Sequence, residues 1–182
     1  IVFTSDNDNY DITLSTSKGK YNMKGLDPDD FLDLPELFES EKPDLEELSK
    51  TENDKFVCVF DAGVLQRLAS KTAFSVSQDE YRPAMTGVFF QFRNGYVNAV
   101  ATDSFRLVRA KSFSDKFNFE EDFDIILTSR LIDFLKKIDE EVIFSLIESM
   151  GKVTHVRIDF GSTILISRII DERFPPYETV IP

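Results

Sequence analysis

The stretch that decides the fold runs from Arg82 to Phe113, RPAMTGVFFQFRNGYVNAVATDSFRLVRAKSF. Within it Val88, Phe90 and Phe92 alternate with Phe89, Gln91 and Arg93. Side chains on a strand face opposite sides with a period of two, so this alternation predicts a strand with one strongly apolar face. Asn94-Gly95 follows. Both residue types tolerate positive φ, and the pair predicts a type I′ hairpin turn. Tyr96 to Ala101 reads as the return strand. Thr102, Asp103 and Ser104 then interrupt the pattern with small polar side chains, and Phe105 to Ala110 resumes it. The expectation is three antiparallel strands whose second turn displays Phe105 and Arg106. Such a turn is either a solvated connection or a recognition element.

Working outward, the same pattern occurs twice. Phe56 to Phe60 reads as a strand, Asp61 as a helix N-cap and Ala62 to Ser75 as an amphipathic helix, ahead of the three strands. At an offset of 67 residues Phe123 to Leu127 is a strand, Thr128 an N-cap and Ser129 to Asp139 a helix. Three more strands follow at Glu141 to Ile147, Val153 to Phe160 and Thr163 to Ile170. Val64, Leu65 and Leu68 fall at the positions of Leu131, Ile132 and Leu135. Two β-α-β-β-β units in tandem imply one α+β domain with internal pseudo-symmetry, over residues 55–182. Helices from both halves are expected to pack on one face of antiparallel sheets. The first helix buries Val64, Leu65, Leu68, Ala69 and Thr72, leaving Arg67 and Lys71 outside. The second buries Leu131, Leu135 and Ile138, leaving Arg130, Lys136 and Lys137 outside with Asp133. Those cations are either ordinary solvated helix surface or a face that meets phosphates without reading bases.

Before the repeat, residues 1–25 read as three short strands, Ile1 to Thr4, Tyr10 to Ser15 and Lys20 to Lys24. Asp6, Asp8 and Tyr10 only superficially suggest a calcium loop, because the central glycine and terminal glutamate are missing. The chain opens on IVFTS rather than Met, which reads as strand interior and gives the expectation of a fragment. Residues 26–54 read as an acidic linker with Pro28, Pro35 and Pro43. Phe31, Leu34, Leu37 and Phe38 are expected to pin its first half to a domain surface. The chain ends on SRIIDERFPPYETVIP. Pro175 and Pro176 keep this segment out of helix, so it reads as an extended exit tail.

The formal net charge is −12, from 33 acids against 21 lysines and arginines. That total argues against nucleic acid only if the charges are mixed, and the run from Asp27 to Asp54 concentrates the acids away from the helices. One cysteine, Cys58, sits in an apolar alternation and reads as a buried thiol. No run of 18 apolar residues predicts a membrane span. The single histidine, His155, has no nucleophile suggested beside it, and no phosphate loop, metal-ligand or nucleophile-elbow motif occurs. The residues favour a binding module with no cofactor and no metal over an enzyme. The competing classes are a β-rich protein-interaction module and an enzyme with a carboxylate site on the 102–106 turn.

RPAMTGV, ATDSFRL and SRIIDERFPPYETVIP, in that order and spacing, resemble the middle domain of the bacterial DNA sliding clamps, the beta subunits of DNA polymerase III. The resemblance implies the DNA-clamp fold, with residues 1–25 as the last strands of a first domain and 55–182 as a complete middle domain. It implies a cytoplasmic, non-catalytic processivity factor. In that family a homodimeric ring encircles duplex DNA and tethers the replicative polymerase, the clamp loader and repair proteins through short apolar-aromatic peptides. The segment by itself would be a monomer. The peptide pocket carried over from the motifs is Met85, Thr102, Ser104, Phe105, Arg106, Leu107, Pro175, Thr179 and Val180. The DNA-facing set is Arg67, Lys71, Asp79, Arg82, Arg130, Lys136 and Lys137. Two departures stand out. The usual ATDGHRLA is ATDSFRLV here, with Ser104 for glycine and Phe105 for histidine, and Thr179 stands where some relatives carry arginine.

Overall fold

The computed structural model describes residues 1–6, 9–27, 30, 54–119 and 121–181, with backbone only at 54–57. The expected linker, including Phe31, Leu34, Leu37 and Phe38, lies almost entirely outside these residues, as does Asp8. The chain forms two compact units, Ile1–Glu41 and Lys42–Pro182. The first contains β1 (Val2–Ser5), β2 (Asp11–Thr16) and β3 (Gly19–Lys24), an antiparallel sheet in that order. These strands match their expected positions to within a residue or so.

The second unit carries both repeats. Its first half is β4 (Asp54–Phe60), α1 (Val64–Thr72), β5 (Gly87–Arg93), β6 (Tyr96–Thr102) and β7 (Leu107–Phe113). Its second half is β8 (Phe123–Thr128), α2 (Ser129–Leu135), β9 (Val142–Ser149), β10 (Lys152–Phe160) and β11 (Thr163–Arg168). The sheets run β7-β6-β5-β8 and β11-β10-β9-β4. All ladders are antiparallel, and each half lends its first strand to the other half's sheet: β8 pairs with β5, and β4 with β9. α1 lies against β6 and β7, α2 against β5 and β8, and the helices touch each other.

One apolar core joins both sheets and both helices. Val88, Phe90 and Phe92 of β5 are fully buried in it with Leu65, Leu68, Leu131 and Leu135. Phe60 meets Phe92, Phe117 and Phe144 at ring-centroid distances of 6.4, 5.4 and 5.8 Å, so β4, β5, β9 and the loop after β7 converge there. A second, smaller cluster gathers Val100, Ile126, Phe174 and Tyr177 with Ala84, Phe89, Leu107, Ile170 and Ile181 around it. The expected exit tail therefore folds back. Phe174 stacks on Phe89 at 4.7 Å, and Tyr177–Val180 forms a 3₁₀ turn rather than an extended strand. Two aromatic rings leaving water outweigh an extended path.

Three local expectations are corrected. Asn94 is not at positive φ; only Gly95 is, at 82°. The turn is fixed instead by the next loop, where Phe119 N–H donates to Asn94 Oδ1 and Gly95 N–H to the Phe117 carbonyl. Two consecutive positive φ values, the type I′ signature, occur at Met150-Gly151 between β9 and β10. Asp61 does not cap α1; Gly63 holds the cap position, and the Asp61 carboxylate pairs with Lys116. Thr128 does cap α2, accepting the Leu131 N–H at 3.3 Å. Both helices are shorter than their apolar pattern suggests, because a 3₁₀ turn at Ala73–Ser75 continues α1 and Ile138 is buried beyond the end of α2.

Candidate functional site

The connection from β6 to β7 is a turn over residues 103–106, so Phe105 belongs to the turn and not to β7. One carboxylate organises it. Asp103 Oδ1 accepts the N–H groups of Phe105 and Arg106 at 3.0 Å each, and Oδ2 accepts Arg106 Nε at 2.8 Å. These donors, the Arg106 N–H first, hold the Asp103 carboxyl below the usual aspartate range. Thr102 Oγ1 donates to the Arg106 carbonyl at 2.8 Å and accepts the Ser104 N–H at 3.2 Å. Ser104 sits at φ 76°, the left-handed region that glycine enters without a Cβ clash. That is a physical reason for glycine at this place in the usual motif. With the backbone so fixed, Phe105 stands at the tip with 97% of its surface exposed.

Around the turn, Arg82 donates from Nη1 to Ser104 Oγ at 2.6 Å and from Nε to Asp79 at 2.9 Å. Met85 is buried, with its sulfur 4.0 Å from Ser104 Oγ. The Arg106 guanidinium lies 5.8 Å from the centre of the Phe74 ring. Leu107 belongs to the same small apolar cluster as Phe174, Tyr177 and Ile181, so that cluster reaches from the start of β7 to the tail. Thr179 is exposed and donates to the Pro176 carbonyl at 2.8 Å; Val180 is exposed and Pro175 half-buried. Cavities of about 670 and about 300 Å³ lie nearby. The larger is walled by Ala73, Val76, Pro83, Thr86 and Ile132, and none of the nine expected pocket residues lines either.

Of the expected DNA-facing residues, Lys71, Arg130 and Lys137 are exposed and, among the described residues, carry no ion pair. Arg67 Nη2 donates to Ser112 on β7 at 3.1 Å, and Lys136 pairs with Asp133 at 2.7 Å. Asp79 and Arg82 are tied to the 103–106 turn through Ser104.

Two buried polar arrangements escape the sequence reading. Arg157 and Asp159 on β10 form a forked pair with contacts of 2.9–3.2 Å. Their two-residue spacing, which puts them on one strand face, was the available signal. The Tyr177 hydroxyl donates to Gln91 Oε1 at 2.5 Å across 86 residues, and no local pattern announces it. His155 is half-buried beside Thr154, and burial, with Arg168 across the ladder, lowers its pKa. Burial raises that of Cys58. Among the described residues no group of three His, Cys, Asp or Glu is placed to hold a metal ion.

Residues 60–176 match the family model for the DNA polymerase III beta subunit, central domain. The chain is similar to the beta sliding clamp of Halalkalibacterium halodurans, 26% identical over 96% of this chain and 42% of that protein. It is similar to the beta sliding clamp of Bacillus subtilis, 25% identical over 93% of this chain and 40% of that protein. Among solved structures, the DNA polymerase sliding clamp from Bacillus subtilis superposes with a TM-score of 0.75 at 23% identity, over 99% of this chain and 43% of that one. The C. crescentus beta sliding clamp gives 0.75 at 23% identity, over 99% and 44%. The chain thus spans about two-fifths of the length of the curated relatives it matches.

Proposed function

The chain belongs to the DNA polymerase III beta subunit family through that family's central domain, and we propose that it serves as part of a sliding clamp. In this reading the assembled protein is a processivity factor that encircles duplex DNA as a homodimeric ring. It performs no chemistry of its own. Tethering keeps the polymerase at a high effective concentration at the primer end, so it rebinds before diffusing away. Residues 1–25 are the closing strands of a preceding domain, and 55–182 are the middle domain. The segment alone is monomeric and works in the cytoplasm.

The observation that carries the reading is the family match over 60–176, which takes in both helices, the 103–106 turn and the start of the tail. The apolar cluster shared by Leu107 and the tail supports a peptide site made of Met85, Thr102, Ser104, Phe105, Arg106, Leu107, Pro175, Thr179 and Val180. Such a site takes an extended peptide by its apolar anchors, with Arg106 and Phe105 at the rim. Phe105 in place of the usual histidine adds apolar area and removes a titratable ring, favouring more aromatic partners. Arg67, Lys71, Arg130, Lys136 and Lys137, with Asp79 and Arg82 in the loop after α1, form the DNA side.

Fluorescence anisotropy with a labelled peptide carrying leucine and phenylalanine anchors tests the site. Saturable binding is expected, weakened by about 2 kcal/mol, or roughly thirtyfold, in Leu107→Ala. Wild-type affinity in that variant would refute the site.

A further inference from the structure

We propose that Tyr177 is the positioning residue of the peptide site, its hydroxyl fastened to Gln91 so that the short turn carrying Thr179 and Val180 keeps one orientation beside the apolar cluster that includes Leu107. The inference rests on the peptide-site reading and adds how that site is held in shape.

The tail leaves the second sheet after β11 and is first secured by backbone. Ile169 bridges to Leu127, and Ile170 N–H donates to the Ile126 carbonyl at 2.9 Å. Beyond that point, among the described residues, no backbone hydrogen bond ties the tail to a sheet. Pro175 and Pro176 have no N–H to give. The N–H groups of Tyr177 and Thr179 are spent inside the tail, on the carbonyls of Pro175 and Pro176. Among the described residues, the Tyr177–Gln91 bond is the only side-chain hydrogen bond from the tail into the sheet.

Both partners are buried, Tyr177 to 4% exposure and Gln91 to 8%, so water does not compete for the bond. Gln91 is itself oriented, because its Oε1 also accepts Asn98 Nδ2 from β6 at 3.3 Å. Phe174 stacked on Phe89 gives the tail apolar adhesion, yet a stack alone permits sliding and rotation. The hydroxyl supplies the direction. Two and three residues on, in the same short 3₁₀ turn, come Thr179 and Val180. A four-residue 3₁₀ turn has no independent stability, so its orientation follows its anchored residue. Burial beside Glu178 pushes the Tyr177 phenol up to about 12, so the hydroxyl keeps its proton and remains a donor at neutral pH.

Tyr177→Phe in the intact chain is the direct test. The ring stays in the cluster and Gln91 keeps its bond from Asn98, so no buried group is orphaned. The labelled peptide is expected to bind about fivefold more weakly, the effect of one net hydrogen bond. Amide exchange at Thr179 to Ile181 is expected to quicken, while the amides of β5 and α2 keep their rates. Gln91→Met leaves both the Tyr177 hydroxyl and Asn98 Nδ2 without their acceptor, so it should weaken the peptide at least as much, and adding Tyr177→Phe to it should cost nothing further. Unchanged affinity in Tyr177→Phe, additive losses in the double variant, or exchange rising evenly across the domain would each overturn the proposal. Leu107→Ala separates the two ideas. If peptide binding survives it, the peptide-site reading falls, and exchange at Thr179 to Ile181 in Tyr177→Phe still decides whether the hydroxyl fixes the tail.

Discussion

A single carboxylate shapes the 103–106 turn because it accepts several donors at once, and Asp103 has three in place. Its pKa is depressed in the fold. The ordering it gives is therefore complete above the ordinary aspartate value of about 3.9 and is lost as pH falls through the depressed value. Asp103→Asn retains the shape and loses the charge. Anisotropy should then show peptide affinity falling roughly threefold to tenfold at neutral pH, with Asp103→Ala lower still. NMR titration of the wild-type carboxyl should place its midpoint below the usual range. The polar break at Thr102 to Ser104 and the display of Phe105 and Arg106 were readable from residue type. The start of β7 was not, because Phe105 suits a strand and it is the side-chain bonds of Asp103 and Thr102 that hold it in the turn. Tyr177 was readable as apolar tail, but its partner lies 86 residues away.

Helix boundaries depend on which side chains are free to cap. Thr128 is free and caps α2, as its place before the apolar run suggests. Asp61 suits the same role on residue type, but it pairs with Lys116, a contact 55 residues distant that no local reading reveals. Thr128→Ala should lower unfolding free energy by about 1 kcal/mol in urea denaturation. Asp61→Ala removes only an exposed, solvent-screened pair and should leave it nearly unchanged in the same measurement. The buried stripes of both helices were legible because a 3.6-residue period survives any tertiary arrangement. Their C-terminal ends were not, since the apolar pattern continues into 3₁₀ and turn segments that still face the core.

On the scale of the whole molecule, net charge misleads and distribution informs. The proposed DNA side gathers Lys71 and Arg130 on two touching helices, with Lys137 in the turn just past α2, within a chain of net charge −12. Phosphate contacts release counterions, so duplex binding should be weak, indifferent to sequence and steeply weaker with salt. In Lys71→Ala plus Lys137→Ala, the slope of log affinity against log salt should become shallower by about two. An unchanged slope would remove these lysines from the DNA side. The duplication was plain from a fixed offset between matching apolar positions. Which strands pair across the duplication was not, because β4 and β8 carry no mark of the sheet they join.

That crossing of strands has a consequence for what one repeat means. Each half holds the plank that completes its twin's floor, so a solitary repeat would keep three strands of one sheet and carry a fourth with no place in it. The partner best shaped to receive that spare strand is another copy of the same unit. The duplicated chain is, in effect, a reciprocal embrace between two look-alikes made permanent by the peptide running between them.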